Sequence, residues 1–326
     1  MGEKVKLRMG LDRYDRHLPF FDATAPVPEG IDLSVDQIGQ SSTLRDGRDR
    51  HARMVDGVYD VAEFSMSSYL IARAQGLPLT AIPVFPRRLF SASQMWVHPD
   101  SNLWTPRDLV GKKVGLSSFQ TTLSLLAKGD LKFHYDTPWE DIHWLTTSPE
   151  VIDVAMKPGV KVDFIGNRHL LGKALERGDI DAFFLPHPPK SVSTGKIRAR
   201  RLFKDTRAQE LSYFKAHGDY PIMHVVAIRE EIAARHPWLP MALYTMFEEA
   251  RNMAREYYED PNYSMLAWGR LDVEDEANLF GRDPWENGFA RNRANVARFI
   301  DYSHDQGLIP APYAPETLFH ASTLET

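Results

Sequence analysis

The chain has 326 residues, of which 43% are hydrophobic, enough to form a substantial core in one large two-lobed protein or in two ordinary domains. The formal net charge of −5 gives no indication of nucleic-acid binding, which usually calls for a basic surface, although a local group of arginines would still suit an anionic ligand. There is no cysteine, which excludes disulfides, thiolate nucleophiles and cysteine-ligated metals.

The N-terminal residues are charged and show no apolar segment followed by a small-residue cleavage site, so we expect no signal peptide. No apolar run approaches the roughly 20 residues that a membrane-spanning helix needs. From these two observations we expect a cytoplasmic protein that does not enter a membrane.

The N-terminal third of the chain predicts short strands alternating with helices. Pro83 interrupts the last of these strands, which we therefore expect to be short or to lie at the edge of a sheet. The predicted strands span 4–10, 31–35, 59–63 and 81–85, and the predicted helices span 51–55 and 65–73.

The rest of the chain continues this alternation and ends in helices. The polar stretch 117–122 opens a helix, and N–H groups at a helix N-terminus suit a carboxylate. Capping by the same serines and threonines explains the stretch equally well. Two stretches, 137–157 and 186–194, are predicted to be loops. The predicted strands span 93–98, 111–116, 160–164, 179–185 and 221–228, and the predicted helices span 170–177, 240–258, 273–280 and 288–306.

This order of elements predicts an α/β fold of two lobes, each with a mostly parallel sheet flanked by helices. Strands near 93–98 and 220–228 are predicted to carry the chain between the lobes. Lobe 1 would comprise 1–95 and 225–326, with the C-terminal helices, and lobe 2 would comprise 96–224. We expect the ligand in a cleft between the lobes, closed by a hinge.

Several common motifs are absent from the sequence. There is no G-x-G-x-x-G after the first strand, no Walker loop, no H-E-x-x-H and no G-x-S-x-G. The twelve histidines show no metal-ligand spacing. We therefore expect no cofactor and no metal, although distant carboxylates and a histidine could still assemble a divalent-ion site.

A single imidazole, His224, lies in the apolar strand at 220–228. A hydrogen-bonded core histidine is the commoner explanation for such a residue, and a ligand site is the alternative. Other side chains suit an anionic aromatic ligand, because arginine binds carboxylates in a bidentate manner and an aromatic ring can stack on another. These side chains are Arg16, Arg88, Ser65, Ser67 and Trp285.

Segments spread in order over nearly the whole chain carry the motifs of one family. They include GLDRYDR at 10–16, YDVAEFSMSSY at 59–69, AIPVFP at 81–86, GDIDA at 178–182 and PIMH at 221–224. On these segments the chain resembles the 4,5-dihydroxyphthalate decarboxylase-like proteins, which are similar in fold to type II periplasmic solute-binding proteins.

The resemblance implies a cofactor-independent decarboxylase of a small, anionic, hydroxylated aromatic acid, active in the degradation of aromatic compounds such as phthalates. Such a reaction protonates the ring carbon as carbon dioxide leaves, a step that suits histidine. We assign His224 as the proton donor, and Glu63 or Asp15 as the base at the ring hydroxyl. The residues expected to bind the substrate are Arg16, Ser65, Ser67, Arg88, Ser118, Gln120 and Trp285.

Two other functions stay open at this stage. A solute-binding protein for a small aromatic or organic acid would have the same fold without catalysis, and a different lyase or hydrolase could use the same scaffold. Neither a nucleic acid nor a membrane is an expected partner, and a homodimer would be ordinary for a cytoplasmic enzyme.

Overall fold

The computed structural model describes residues 4–39, 50–150, 152 and 156–326. The chain divides into two compact units. Unit 1 comprises Met1–Arg88, His224–Val296 and Tyr313–Thr326, and unit 2 comprises Leu89–Met223 and Ala297–Pro312.

The strands and helices alternate along most of the chain. The strands are β1 (Val5–Asp12), β2 (Ile31–Ile38), β3 (Val61–Ser65), β4 (Leu79–Ile82), β5 (Met95–Val97), β6 (Lys113–Leu116), β7 (His143–Thr146), β8 (Val162–Phe164), β9 (Ala182–Phe184), β10 (Arg200–Arg201) and β11 (His224–Arg229). The α-helices are α1 (Leu18–Phe21), α2 (Arg50–Val55), α3 (Met66–Ala74), α4 (Thr122–Phe133), α5 (Leu171–Arg177), α6 (Lys190–Ser193), α7 (Thr206–His217), α8 (Glu230–Arg235), α9 (Leu239–Tyr257), α10 (Gly269–Phe280) and α11 (Phe289–Asp305).

Each unit contains one sheet that is mostly parallel. In unit 1 the strand order is β2-β1-β3-β11-β4, and in unit 2 it is β10-β5-β9-β6-β7-β8. β11 runs antiparallel to both β3 and β4, and β5 runs antiparallel to both β9 and β10. β5 and β11 are therefore the two strands that are antiparallel to their neighbours. Both lie where the sequence predicts that the chain passes between the lobes. β4 lies at a sheet edge, as the position of Pro83 predicted.

Helix α9 covers one face of the sheet in unit 1. Its buried residues recur every three or four positions, which is the pattern of a helix that packs along one stripe. Alternate residues of β1, β3 and β11 face it, because side chains alternate between the two faces of a sheet. The resulting core includes Leu7, Met9, Leu11, Val61, Val226, Ile228, Leu243, Met246, Phe247 and Ala250.

The two compact units differ from the predicted lobes mainly at 297–312. The sequence placed this segment in lobe 1, whereas it belongs to unit 2. The second half of α11 explains the difference: the Tyr302 hydroxyl donates to Asp130 at 3.2 Å, and Nε2 of Gln306 donates to the carbonyl of Leu125 at 2.8 Å. A helix that continues smoothly past a unit boundary carries no local signal of that boundary.

Two predicted loops contain regular structure. The stretch 137–157 contains β7, which pairs in parallel with β6 and β8, while its residues 151 and 153–155 lie outside the described residues. β7 is only four residues long and polar at both ends, so its alternation is too short to be recognised. The stretch 186–194 contains α6, a single turn that begins after Pro189.

Helix α7 was missed from the sequence although its end signals are present. Asp205 caps it by accepting a hydrogen bond from the Ala208 N–H at 2.9 Å, and Gly218 closes it with a φ of 72°. An acidic N-cap followed thirteen residues later by a glycine would have predicted this helix.

Candidate functional site

Glu63 places a carboxylate on the apolar face of the sheet in unit 1. It follows Val61 by two residues in β3, so both side chains face α9, and it is fully buried. Burial of a carboxylate costs several kcal/mol unless the group is hydrogen-bonded and paired. The Asp12 N–H donates to Oε2 at 3.1 Å, and the Tyr14 hydroxyl donates to Oε1 at 3.1 Å. The third donor is His224.

His224 reaches Glu63 through the pairing of β11 with β3. In this antiparallel pair His224 lies opposite Ser65, and Val226 lies opposite Glu63. His224 and Glu63 are therefore diagonal neighbours on one face of the sheet. Nδ1 of His224 donates to Oε1 of Glu63, which leaves Nε2 as the ring nitrogen that can gain or lose a proton. The histidine side chain is only 6% exposed.

His17 supports the same site from the segment that follows β1. Its Nδ1 donates to the Asp12 carbonyl at 2.8 Å, and its ring centroid lies 5.7 Å from that of Phe247 in α9. Burial lowers the pKa of His17 to about 4, although the nearby Glu63 carboxylate opposes this shift, so the ring is neutral at pH 7. His17 thus holds the backbone of Asp12, the residue whose N–H donates to Glu63. No pattern in the sequence identified this histidine.

Arg16 is held beside the site by aromatic rings and a backbone carbonyl. Its guanidinium lies 4.1 Å from the ring centroid of Tyr14 and 4.2 Å from that of Trp285. Nε donates to the Pro86 carbonyl at 2.7 Å, and Nη2 donates to the same oxygen. Because the Tyr14 hydroxyl contacts Glu63, Tyr14 connects Arg16 to the buried carboxylate.

Asp15 is a carboxylate with two fixed partners. Nη1 of Arg16 donates to Oδ1 at 2.9 Å, and the Tyr258 hydroxyl donates to Oδ2. Burial raises the pKa of Asp15, but Arg16, Tyr258 and the Arg16 N–H together outweigh burial, so the pKa lies below its usual value. An acid with a lowered pKa is a weak base, which makes an ion-pair role natural for this side chain.

Arg88 is buried, and its side chain binds the segment of the chain where α11 begins. Its Nη2 donates to the Glu286 carbonyl and to Oδ1 of Asn292, both at 2.8 Å. Trp285 precedes this segment and lines a pocket with Arg16, His17, Phe247 and Arg251. All of these residues belong to unit 1.

The two serines predicted to bind substrate lie where β3 passes into α3. Ser65 is the N-cap of α3 and Ser67 lies in its first turn, and their hydroxyl oxygens are 3.4 Å apart. Both residues are buried. Ser65 shares a face with Glu63 and lies opposite His224, so one end of β3 brings these side chains together.

Ser118 and Gln120 belong to unit 2, in the loop between β6 and α4. Both are buried, and the hydroxyl of Ser118 has no hydrogen-bond partner among the described residues. The loop N–H groups are occupied by an internal acid: those of Phe119 and Gln120 donate to the Glu150 carboxylate at 2.6 and 3.0 Å. The N–H groups that the sequence suggested for a ligand's carboxylate are therefore bound, at these two residues, by a side chain of the protein itself.

Unit 2 also buries a carboxylate, Asp130, in α4. The Ser91 hydroxyl donates to Oδ2 at 2.6 Å and the Tyr302 hydroxyl donates to Oδ1 at 3.2 Å. Burial raises the pKa of Asp130 to about 7 against the effect of these two hydrogen bonds. The sequence gives no indication that this acid is buried, since one aspartate in an otherwise amphipathic helix predicts a solvent-facing side chain.

Comparison with known proteins gives both a family and a fold. Residues 29–133 match a family model described as NMT1/THI5 like. The chain is 30% identical to the 4,5-dihydroxyphthalate decarboxylase of Comamonas testosteroni, across 99% of this chain and 98% of that protein. It is 25% identical to the 4,5-dihydroxyphthalate decarboxylase of Pseudomonas putida, across 65% of this chain and 83% of that protein.

Among solved structures, the chain is similar to the periplasmic sulfonate-binding protein SsuA from Methylobacillus flagellatus KT. The TM-score is 0.61 at 14% identity, with 100% of this chain and 95% of that chain covered. Such a likeness shows the fold alone, and it confirms the predicted α/β fold of the solute-binding type. In the part of the chain that the structure describes, no helix is long and apolar enough to cross a membrane.

Proposed function

We propose that this chain, which belongs to the 4,5-dihydroxyphthalate decarboxylase family, removes carbon dioxide from a hydroxylated aromatic carboxylate without a cofactor. Family membership makes it a carboxy-lyase, and the resemblance found in the sequence motifs is confirmed. The observation that carries the mechanism is the hydrogen bond between His224 and the fully buried Glu63.

The reaction needs a proton at the ring carbon that bears the departing carboxylate. The imidazolium of His224 supplies it from Nε2, and a ring hydroxyl in the para or ortho position supports the developing charge. The bond from the ring to the carboxylate then breaks, its electron pair restores the aromatic ring, and carbon dioxide leaves. His224 is left neutral and takes up one proton from solvent in each turnover.

Glu63 acts through His224 in this mechanism. Its carboxylate accepts the Nδ1–H and favours the charged imidazolium, which is the form that donates a proton. Since Glu63 is fully buried and accepts two further hydrogen bonds, from Asp12 and Tyr14, we assign it a positioning role rather than contact with the ring hydroxyl.

Arg16 is the cation best placed for a substrate carboxylate in unit 1. Its Nε and one Nη bind Pro86 and its other Nη binds Asp15, so the stacked guanidinium is rigid. A rigid arginine loses little conformational entropy when it binds an anion. Its connection to Glu63 through Tyr14 supports a small anionic aromatic acid as the substrate.

The test is release of carbon dioxide by the purified protein from a panel of hydroxylated benzoates and phthalates, with binding followed by thermal shift. We expect release from at least one hydroxylated phthalate. Binding of panel members without any release would identify a solute-binding protein instead, and would overturn the proposal. The cytoplasmic location stays a prediction.

A further inference from the structure

Two histidines of unit 2, which we call the histidine pair, lie outside the proposed active site. His134 is the C-cap of α4, and His217 is the last residue of α7. Nε2 of His217 lies 3.2 Å from Nδ1 of His134. No spacing in the sequence indicates this pair, because its members are 83 residues apart and meet only where the ends of the two helices come together.

Aromatic rings hold both imidazoles in place. The ring centroid of Tyr213, four residues before His217 in α7, lies 4.3 Å from that of His217 and 4.9 Å from that of His134. The ring centroid of Tyr135 lies 4.6 Å from that of His134. Side chains that packing already orients lose little conformational entropy when they bind a ligand. The pair is therefore arranged in advance, and both histidines remain partly exposed to solvent.

The separation of the two nitrogens suits a metal ion as well as a hydrogen bond. Imidazole nitrogens bind Zn²⁺ at about 2.0–2.1 Å, and two such bonds to nitrogens this far apart enclose roughly 100° at the metal, near the tetrahedral angle of zinc sites. Without an ion, one nitrogen donates to the other. For an ion to bind, the donating ring moves its proton to its outer nitrogen and both rings turn their lone pairs toward the metal, so no proton is released.

The charges around the histidine pair allow a cation. Both histidines lie at the C-terminal end of a helix, which carries a partial negative charge. Burial, with a smaller contribution from Arg298, lowers the pKa of both, that of His217 to about 4, so both rings are neutral at pH 7. Arg298 opposes a cation, but its Nη1 donates to both oxygens of Asp219, at 3.0 and 3.2 Å, and this ion pair has no net charge.

We propose that the histidine pair binds a divalent transition-metal ion such as Zn²⁺ through Nδ1 of His134 and Nε2 of His217. Neutral imidazole suits zinc, copper and nickel, whereas magnesium and calcium prefer oxygen ligands. The described residues contain no group of three or more histidine and acidic side chains that could hold a metal, so water completes the coordination.

A metal ion at this position joins the ends of α4 and α7 and stabilises unit 2. The site is independent of the decarboxylase mechanism, because Glu63 and His224 belong to unit 1. Its test does not use carbon dioxide release, so failure of the proposed function and failure of this proposal are distinguished.

The test titrates the full chain, without a histidine tag and after treatment with a chelator, with Zn²⁺ and separately with Cu²⁺. Calorimetry measures the affinity for Zn²⁺, thermal unfolding measures the stabilisation, and electron paramagnetic resonance counts the nitrogens bound to Cu²⁺. His134→Gln and His217→Gln each remove one ligand and keep a polar side chain. The matched control is His143→Gln, which changes another partly exposed histidine of unit 2, one that lies 2.7 Å from Asp163. Circular dichroism checks that each variant is folded.

We expect the unmodified chain to bind a single Zn²⁺, to unfold a few degrees higher when Zn²⁺ is in excess, and to show two nitrogens on Cu²⁺. Mg²⁺ should cause no shift. His134→Gln and His217→Gln should each bind Zn²⁺ about tenfold more weakly or worse, because the second ligand acts at a high effective concentration, whereas His143→Gln should match the unmodified chain.

Two results would overturn the proposal. One is an unmodified chain that does not bind Zn²⁺. The other is unchanged Zn²⁺ affinity, or two nitrogens still bound to Cu²⁺, in His134→Gln or His217→Gln, since the metal would then lie elsewhere in the chain.

Discussion

Glu63 in unit 1 and Asp130 in unit 2 are both buried carboxylates, and they differ in their partners. In unit 1 Glu63 meets an imidazole, a tyrosine hydroxyl and a backbone N–H. In unit 2 Asp130 accepts hydrogen bonds from the hydroxyls of Ser91 and Tyr302, with no imidazole among its hydrogen-bond donors in the described residues. Burial raises the pKa of Asp130 to about 7, and these hydroxyls and the charge of Arg298 oppose that shift only in part.

Glu63, with its imidazole partner, is suited to catalysis, whereas Asp130 is a buried acid whose protonation affects stability. An imidazole beside a carboxylate can take up a proton as the imidazolium, and the pair can then deliver that proton to a ligand. An acid surrounded by hydroxyls can only change its own charge, and its effect falls on stability. Four substitutions test this comparison.

The largest effect is expected from Glu63→Gln. The amide can still accept from Asp12 or Tyr14, but it no longer favours the imidazolium of His224. We expect kcat for carbon dioxide release to fall by roughly 100-fold or more, within the range of general acid catalysis. The rate should decline with rising pH as His224 loses its proton, and in the variant this decline should move to lower pH.

The control for that variant is Glu249→Gln, which changes an exposed glutamate on α9. It should leave both kcat and the pH profile unchanged. A Glu63→Gln enzyme with the pH profile of the unmodified chain would show that Glu63 does not act through His224.

Asp130→Asn should change how stability depends on pH. The folded pKa of about 7 lies above the ordinary 3.8, so Asp130 keeps its proton in the folded protein while the unfolded chain loses it. Stability from this group is therefore full below about pH 4 and is lost as pH rises to about 7. The loss is a few kcal/mol, because each pKa unit corresponds to about 1.4 kcal/mol. Urea unfolding from pH 4 to 8 should show this slope in the unmodified chain and a flatter one in the variant. Equal slopes would contradict the assignment.

Gly129→Ala should destabilise the same part of unit 2. A Cβ at this position would lie 2.0 Å from Cδ2 of Tyr302, so the ring that donates to Asp130 would have to move. Overpacking of this kind costs about 1–3 kcal/mol in the free energy of unfolding. Gly30→Ala is the control, since its Cβ would meet nothing closer than Trp238 at 3.5 Å. If the two variants were equally stable, the packing of α4 against Tyr302 would be less tight than in the structure.

Ser91→Ala is expected to have the smallest effect. It removes one donor to Asp130 and leaves the fold otherwise intact. The expected cost is about 1 kcal/mol, and it should be greater above pH 7, where the lost hydrogen bond is to a charged acceptor. Ser193→Ala, at an exposed serine, serves as the control. A cost that does not vary with pH would show that Asp130 does not titrate in this range.

Local signals in the sequence predicted most of the elements, and contacts between distant elements account for what it missed. The helices at 240–258 and 288–306 were predicted within one or two residues. The buried strand that contains His224 was predicted at 221–228, and it begins three residues later, at His224. The contact of His224 with Glu63 joins residues 161 apart through the register of an antiparallel pair. No local pattern specifies that register, so the sequence offered Glu63 and Asp15 as equal alternatives.

His17 and Asp130 were missed for a related reason. Each is a polar residue in a short segment whose neighbours do not reveal burial, and each is buried by an element far along the chain, α9 for His17 and α11 for Asp130. The stretch 117–122 was expected to suit a ligand's carboxylate, but its N–H groups at Phe119 and Gln120 bind Glu150, which lies about thirty residues away in the sequence.

The most direct test of the account is the turnover of His224→Asn, measured as carbon dioxide release beside substrate affinity. His236→Asn, which changes a histidine after α8 in the same unit, is the control. If His224 delivers the proton, its variant should bind substrate within a few-fold of the unmodified chain and lose roughly 100-fold or more in kcat. Full turnover by His224→Asn with unchanged binding would contradict the account.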